Sequence, residues 1–130
     1  MATRVPEAEL REPLPPEGVS VPLLASFAGL ARVPLLSLGK NNLSALLRLY
    51  PDEIECKVLR TRRRAYSEIR RIEVQTTWAT RNVEFVWHGS VVTFTANVRT
   101  DAWRLALLRL LDAKGAALSA AARRLLQDGG

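Results

Sequence analysis

The sequence predicts an α+β protein in which a series of antiparallel strands precedes the helices. Between Glu53 and Val98, apolar residues alternate with polar ones in several short runs, which is the period of strands with one buried face. Turn-forming residues, including His88–Gly89, separate these runs. After Thr100 the apolar spacing changes to that of a helix. Strands that precede helices, instead of alternating with them, are typical of α+β proteins.

Composition narrows the class of protein. The chain has 130 residues, of which 48% are hydrophobic and 25% are charged, and this suits one globular domain with a single core. Its formal net charge is +6, and its basic residues are 16 arginines and only 3 lysines. Because the guanidinium group makes paired hydrogen bonds with phosphate or carboxylate, this excess favours an anionic partner.

Cysteine usage and hydropathy bear on localisation. Cys56 is the only cysteine, so no disulfide within the chain is possible, and residues 1–18 lack the apolar stretch of a secretory signal. The most apolar segment, residues 21–38, is interrupted by two prolines and by Arg32, whereas a membrane-spanning helix needs about 20 continuous apolar residues. We therefore expect a cytoplasmic protein, with a peripheral position at the membrane as the alternative.

The first part of the chain is expected to hold an arm and a short helix. Residues 1–20 contain four prolines and four glutamates, a composition typical of an extended or disordered arm. Residues 23–30 are predicted to form a short helix. From Val33 onward, the apolar runs VPLLSL and LSALLRLY are separated by GKNN, which has the composition of a turn. The sequence PDE that follows fits a second turn, with proline at its first central position.

Three later segments have the period of strands. In EIECKVL and RIEVQ, apolar side chains alternate with charged or polar ones, and the apolar faces hold Ile54, Cys56, Val58, Ile72 and Val74. The segment NVEFVWHGSVVTFTANV is predicted to form a β-hairpin, since Gly89 allows the positive φ that a tight turn requires. The inward residues of this hairpin are predicted to be Val83, Phe85, Trp87, Val92, Phe94, Ala96 and Val98.

The C-terminal part is predicted to contain two helices. Thr100 is suited to cap the first helix, and Gly115 suits the position just after its end. One face of this helix carries Trp103, Leu107, Leu110 and Leu111. A second, alanine-rich helix is predicted over residues 116–127. Its apolar stripe either packs on the same domain beside residues 23–30 or pairs with another chain, and consists of Leu118, Ala121, Leu125 and Leu126.

Two stretches of the sequence carry a family resemblance. RAYSEIRRIEV, residues 64–74, is similar to the strand–turn–strand pattern of bacterial pleckstrin-homology-like (PH-like) domains, and RTDAWRLALLRLL, residues 99–111, resembles their closing helix. The resemblance implies a bent antiparallel barrel, or two near-orthogonal sheets, with one open end plugged by this helix and by Trp103. The resemblance covers about residues 33–111, and the domain as a whole is predicted at residues 23–112. The resemblance also implies a basic site, since the spacing of basic residues in phosphoinositide-binding members is matched by Lys57, Arg60 and Arg62.

The main charge feature is the stretch RTRRRAYSEIRR, residues 60–71, which has six arginines and one glutamate. These residues either bind phosphate groups or an acidic protein partner, or they are solvated strand residues. Strand alternation predicts that Arg62 and Arg63 point to opposite faces, so one patch uses about half of the arginines. Trp78, in a loop, either enters a membrane interface or partner pocket or folds back onto the barrel end. The candidate anion- or lipid-binding residues are Lys57, Arg60, Arg62, Arg63, Arg64, Trp78 and Arg81.

Side chains that catalyse reactions or bind metals do not form a recognisable pattern in the sequence. His88 is the only histidine and lies in a predicted turn, and Cys56 is predicted to be a buried thiol. Glu53 and Glu55 share the polar face of a strand, whereas acid–base pairs work in a cleft. We therefore expect no enzyme activity, no metal and no cofactor.

The function predicted from these features is that of a non-catalytic interaction module. Contact with another protein, including self-association into an oligomer, is the first hypothesis. Peripheral binding to anionic phospholipid through residues 60–71 is the alternative, and nonspecific nucleic-acid binding through the same residues is the third. Tyr66 is the only aromatic residue in that stretch, whereas single-strand binders stack bases on several exposed rings.

Overall fold

Two antiparallel sheets and three helices form the protein in a computed structural model, which describes residues 4–30, 33–41, 45–58, 60–74 and 81–129, with the backbone alone for residues 30 and 33–41. The strands are β1 (Val19–Ser20), β2 (Leu23–Leu30), β3 (Val33–Asn41), β4 (Leu46–Leu49), β5 (Glu53–Lys57), β6 (Thr61–Ala65), β7 (Ile69–Val74), β8 (Asn82–Trp87) and β9 (Val92–Val98). The helices are α1 (Pro6–Glu9), α2 (Asp101–Ala113) and α3 (Ala120–Gly129).

The strands divide into two separate sheets. The first sheet has the order β1-β4-β5-β6, and the second has the order β3-β2-β9-β8-β7. A 3₁₀ turn at Tyr66–Glu68 connects the last strand of the first sheet to β7 of the second. Among the described strands none belongs to both sheets, so the architecture is α+β with two sheets and is not a closed barrel.

The strands predicted from alternating side chains are confirmed. In β5, Ile54 and Cys56 are buried between half-buried charged residues, and in β7 the buried residues include Ile72 and Val74. Inward residues of both sheets and of α2 belong to one hydrophobic cluster. Burying one face of each sheet in a common core explains why the alternation is regular in these segments.

The predicted hairpin is formed by β8 and β9. Phe85 lies opposite Phe94 in the ladder, and Gly89 in the turn has a φ of 72°. The prediction that Val92 faces inward is wrong, because its side chain is 41% exposed. Val92 begins β9 beyond the last described pair of the β8–β9 ladder, at the mouth of a cleft between the sheets.

The predicted helix at residues 23–30 is wrong, because this segment is the strand β2. It pairs with β9 on one side and with β3 on the other. A short apolar run does not distinguish a buried strand from a buried helix by its period, and here pairing on both edges determines the outcome. Three residues of the predicted GKNN turn, Gly39, Lys40 and Asn41, instead belong to β3 and pair with β2, and Asn42 lies outside the described residues.

The N-terminal segment is packed on the domain, in contrast to the expected extended or disordered arm. Leu10 and Leu14 are buried in the core cluster, and β1 pairs with β4. The Arg4 guanidinium forms an ion pair with Glu9 and lies 4.6 Å from the centre of the Trp103 ring. The high proline and glutamate content of this segment suggested disorder, but its two buried leucines supply the apolar surface that holds it on the domain.

Helix α2 begins and ends where the sequence predicts. The Thr100 hydroxyl accepts a hydrogen bond from the Trp103 backbone N–H at 3.2 Å, and Gly115 has a φ of 87° just after the helix. The buried face of α2 includes the predicted residues Trp103, Leu107, Leu110 and Leu111.

The last helix packs on its own domain, against α2 and β7, and not beside residues 23–30 as one sequence alternative had it. Before α3, the Ile72 N–H donates to the Ala117 carbonyl at 2.8 Å, and the Ser119 N–H donates to the Ile72 carbonyl at 2.9 Å. Residues 117–119 therefore cover the outer edge of β7. The helix begins at Ala120 instead of residue 116, with the Ser119 hydroxyl accepting from the Ala122 N–H.

We expect Trp103→Ala to lower the free energy of unfolding by about 3–5 kcal/mol, because it removes a large buried side chain from the helix that contributes to the core. Chemical denaturation followed by circular dichroism measures this loss. Arg109→Ala on the exposed face of the same helix is the matched control and should change stability by less than about 0.5 kcal/mol. Equal stability of the two variants would contradict the role assigned to Trp103.

Candidate anion-binding cleft

A cleft of about 500 Å³ opens between β6 and the second sheet. Its rim carries three arginines from β6 and the residue before it, Arg60, Arg62 and Arg64. Its floor is mainly apolar and includes Cys56, Val58, Trp87 and Phe94. The cleft therefore combines a cationic rim with an apolar interior, a combination that suits a ligand with one anionic and one apolar part.

Strand register determines which arginines reach this cleft. Arg62 is the ladder partner of Cys56, and Arg64 is the partner of Ile54, so both lie on the inward face of the first sheet. Arg63 is the partner of Glu55 and lies on the opposite face. The alternation predicted for neighbouring arginines is thus present, and β6 contributes two of its three arginines to the cleft.

Arg64 connects the two sheets at the rim. Its guanidinium carbon lies 4.9 Å from the centre of the Trp87 ring, which belongs to β8. The same guanidinium is 3.5 Å from a Glu68 carboxylate oxygen, and Glu68 also accepts a hydrogen bond from the Ala65 N–H at 2.7 Å. A cation placed over an indole face is attracted by the ring, so Trp87 orients Arg64 at the mouth of the cleft.

The other two rim arginines differ in their ion pairing from Arg63 on the outer face. Arg60 and Arg62 are exposed, and within the part of the chain that the structure describes no carboxylate forms an ion pair with either. Arg63 on the outer face pairs with Glu53 at 2.7 Å and Glu55 at 3.4 Å, and the hydrogen bond with Glu53 raises the pKa of its guanidinium. The uncompensated positive charge of β6 therefore lies on the cleft side.

The structure separates the remaining candidate residues from this cleft. Lys57 lies opposite Thr61 on the outer face with Glu55, so the spacing shared with phosphoinositide-binding domains does not produce one cluster here. Arg81 precedes the first residue of β8, at the other end of that strand from Trp87, and pairs with Asp101 at 3.2 Å. The prediction for Trp78 lies outside the described residues.

Two features of the site were not predicted from the sequence. Trp87 and Phe94 are buried as expected, but they also form part of the cleft floor. Val91 and Val92 at the hairpin tip are 67% and 41% exposed, and Val92 lines the cleft together with Ser90. The adjacent valines after Gly89 were a usable signal, because neighbouring residues of an extended chain point to opposite sides and cannot both face the core.

Burial keeps the Cys56 thiol and the Tyr66 phenol neutral. Cys56 is only 5% exposed, and burial raises the pKa of its thiol to about 11, although the charges of Arg64 and Arg62 oppose this rise. Because the thiolate is the reactive form, Cys56 is poorly suited to act as a nucleophile. Burial likewise raises the pKa of Tyr66, whose hydroxyl donates to the Tyr50 carbonyl at 2.7 Å. Because its ring is buried, Tyr66 does not offer an exposed surface for stacking bases.

Comparison with known protein-family models gives no match, and comparison with curated proteins gives none either. Over residues 4–30, 33–41, 45–58, 60–74 and 81–129, the structure has no group of three or more histidine, cysteine, aspartate or glutamate residues arranged to hold a metal ion. Within the same ranges, no helix has the length and apolar character needed to cross a membrane.

We expect alkylation of Cys56 by iodoacetamide to be slow near neutral pH and to rise about tenfold with each unit of pH below its pKa, because only the thiolate reacts. The profile of the folded protein should approach its midpoint near pH 11, whereas the protein unfolded in urea should titrate near 9.0. Mass spectrometry measures the labelled fraction. Rapid labelling of the folded protein at neutral pH would contradict the burial of this thiol.

Proposed function

We propose that the protein is a non-catalytic module of the PH-like kind that binds the surface of anionic phospholipid membranes through the rim of this cleft. The observation that carries the proposal is the position of the exposed, unpaired Arg60 and Arg62 beside the exposed valines at the hairpin tip. The two antiparallel sheets and the helix α2 that follows them support the PH-like part of the proposal.

The rim arginines suit the phosphate groups of lipid headgroups. A guanidinium presents several N–H donors in one plane and stays protonated at all physiological pH values. Near an anionic membrane surface, each basic residue contributes about 1 kcal/mol of attraction. Three rim arginines therefore give a useful but salt-sensitive affinity, of the size expected for peripheral binding.

The hairpin tip supplies the apolar part of the contact. Val91 and Val92 are among the most exposed large apolar side chains in the described part of the chain. Since Val92 lines the same cleft as Arg60 and Arg62, the valines and the arginines can face one surface together. An apolar tip beside a cationic rim is the arrangement that interfacial membrane binding uses.

We also propose a second function, because β6 has a neighbouring strand on one side only among the described strands. This strand is the last of its sheet, so an extended acidic segment of another protein can add to it as a further strand, with its carboxylates near the arginines. That mode needs the arginines but not the exposed valines. Self-association remains a prediction, and α3 offers less apolar surface for it because this helix packs on its own domain.

Nucleic-acid binding receives less support. Phe94 and Trp87 are buried in the cleft floor, and Tyr66 is buried in the 3₁₀ turn that follows β6. Strand alternation also divides the arginines of β6 between two faces. Of the other aromatic rings in the described part of the chain, Phe27 and Tyr50 are only partly exposed, whereas single-strand binders stack bases on several exposed rings.

We expect the variant with Arg60, Arg62 and Arg64 all changed to glutamine to lose binding to vesicles that contain phosphatidylserine. The control variant changes Arg109, Arg123 and Arg124 to glutamine, which removes the same charge from exposed helix positions. Co-sedimentation at increasing salt measures both, and wild-type affinity should fall steeply with salt because the contacts are charge pairs. Equal loss in both variants would show that net charge, and not the cleft, determines binding.

We expect the double substitution Val91→Ser and Val92→Ser to weaken vesicle binding while leaving the fold intact, because both side chains are exposed. The same assay is repeated with an acidic peptide and with single-stranded DNA as probes. Weakened binding to vesicles alone supports the membrane function. Unchanged vesicle binding, or a preference for the peptide that requires only the arginines, would favour the protein-binding alternative.

A further inference from the structure

We infer that the cleft between the sheets takes one acyl chain of an anionic phospholipid while the rim arginines hold the phosphate of the same molecule. The inference rests on the proposed membrane function and adds a specific ligand to it. A site that binds only lipid headgroups needs nothing more than arginines on an open surface. This protein instead places its arginines around an opening that leads to an apolar interior.

The floor of the cleft is suited to a hydrocarbon chain. Phe94 and its ladder partner Ala28 line it from the second sheet, and Val58 and Cys56 line it from the first. A thiol that stays protonated behaves as a small apolar side chain, so Cys56 does not add charge to this floor. The volume of about 500 Å³ lies within the range of about 300–1,000 Å³ typical of small-molecule sites.

The mouth of the cleft is suited to a phosphate at the same time. Arg60 and Arg62 are exposed on its rim, and Arg64 lies over the Trp87 ring. The Arg64–Glu68 distance of 3.5 Å exceeds the length of about 2.7–2.9 Å that charge-assisted hydrogen bonds have, so Glu68 engages this guanidinium weakly. A phosphate at the rim can therefore bind guanidinium donors of all three arginines.

The small alanine at the back of the cleft is also relevant. Ala28 is on the interior strand β2, directly opposite Phe94, and its short side chain leaves the space above Phe94 open. A larger side chain at this position would fill the space from the inside without changing the charge of the rim. This gives a direct way to separate chain binding from phosphate binding.

The first test uses the unmodified protein and a series of monoalkyl phosphates. Hexyl, octyl and decyl phosphate are titrated below their micelle-forming concentrations, with inorganic phosphate as the reference. If the chain is buried, affinity should rise about fourfold for each added methylene, the equivalent of about 0.8 kcal/mol. The Trp87 indole N–H and the Phe94 amide should shift in two-dimensional NMR spectra. Affinity that does not depend on chain length would overturn the inference.

The second test blocks the cleft. Ala28→Phe should remove the dependence of affinity on chain length, so that alkyl phosphates bind no more tightly than inorganic phosphate. Thr95→Leu, on the opposite face of the neighbouring strand, should leave this dependence unchanged. Both variants keep the rim arginines, and circular dichroism checks their folding. If Ala28→Phe does not fold, the chain-length series on the wild type still decides the question.

The outcomes distinguish this inference from the function on which it rests. Vesicle binding that persists while alkyl phosphates show no chain-length dependence would overturn the acyl-chain site and leave the membrane function standing. Chain-length dependence without any vesicle binding would overturn phospholipid as the ligand. Vesicle binding with chain-length dependence that Ala28→Phe removes supports both.

Discussion

The pairing of β2 with β9 is the constraint on which most of this structure depends. It joins residues 23–30 to residues 92–98 and places β2 between β3 and the β8–β9 hairpin, so the second sheet reaches its five strands only when this ladder forms. The same ladder sets Ala28 opposite Phe94 and thereby forms the back of the cleft. Because the paired segments are far apart in sequence, the site depends on a contact that local preferences cannot establish.

The cleft depends in turn on the register of a single edge strand. Arg62 and Arg64 reach it because they pair with Cys56 and Ile54, two residues that face the core. A shift of one residue would exchange the inward and outward faces of β6 and would place Arg63 in the cleft instead. The ion pairs of Arg63 with Glu53 and Glu55 on the outer face favour the observed register.

Local signals predicted the parts of the fold that local energetics determine. The alternation in β5 and β7, the β8–β9 hairpin and the Thr100 cap of α2 were all visible, since each depends on neighbours a few residues apart. The strand β2 and the packed N-terminal segment were not, because their conformation depends on distant partners. Likewise, the sequence indicated an arginine cluster and its division between two faces. It did not indicate the cleft, which exists only where two sheets meet.

The polar edge of β6 has a consequence for how copies of this chain meet in solution. An exposed strand edge offers unpaired backbone groups to any other strand, and proteins often protect such edges with charge. Two copies aligned along β6 would bring the arginines of both strands close together, and their repulsion opposes that pairing. The residues proposed to attract an anionic lipid therefore also protect the chain against edge-to-edge aggregation. Neutralising all of them would remove this protection at the same time as the ligand site.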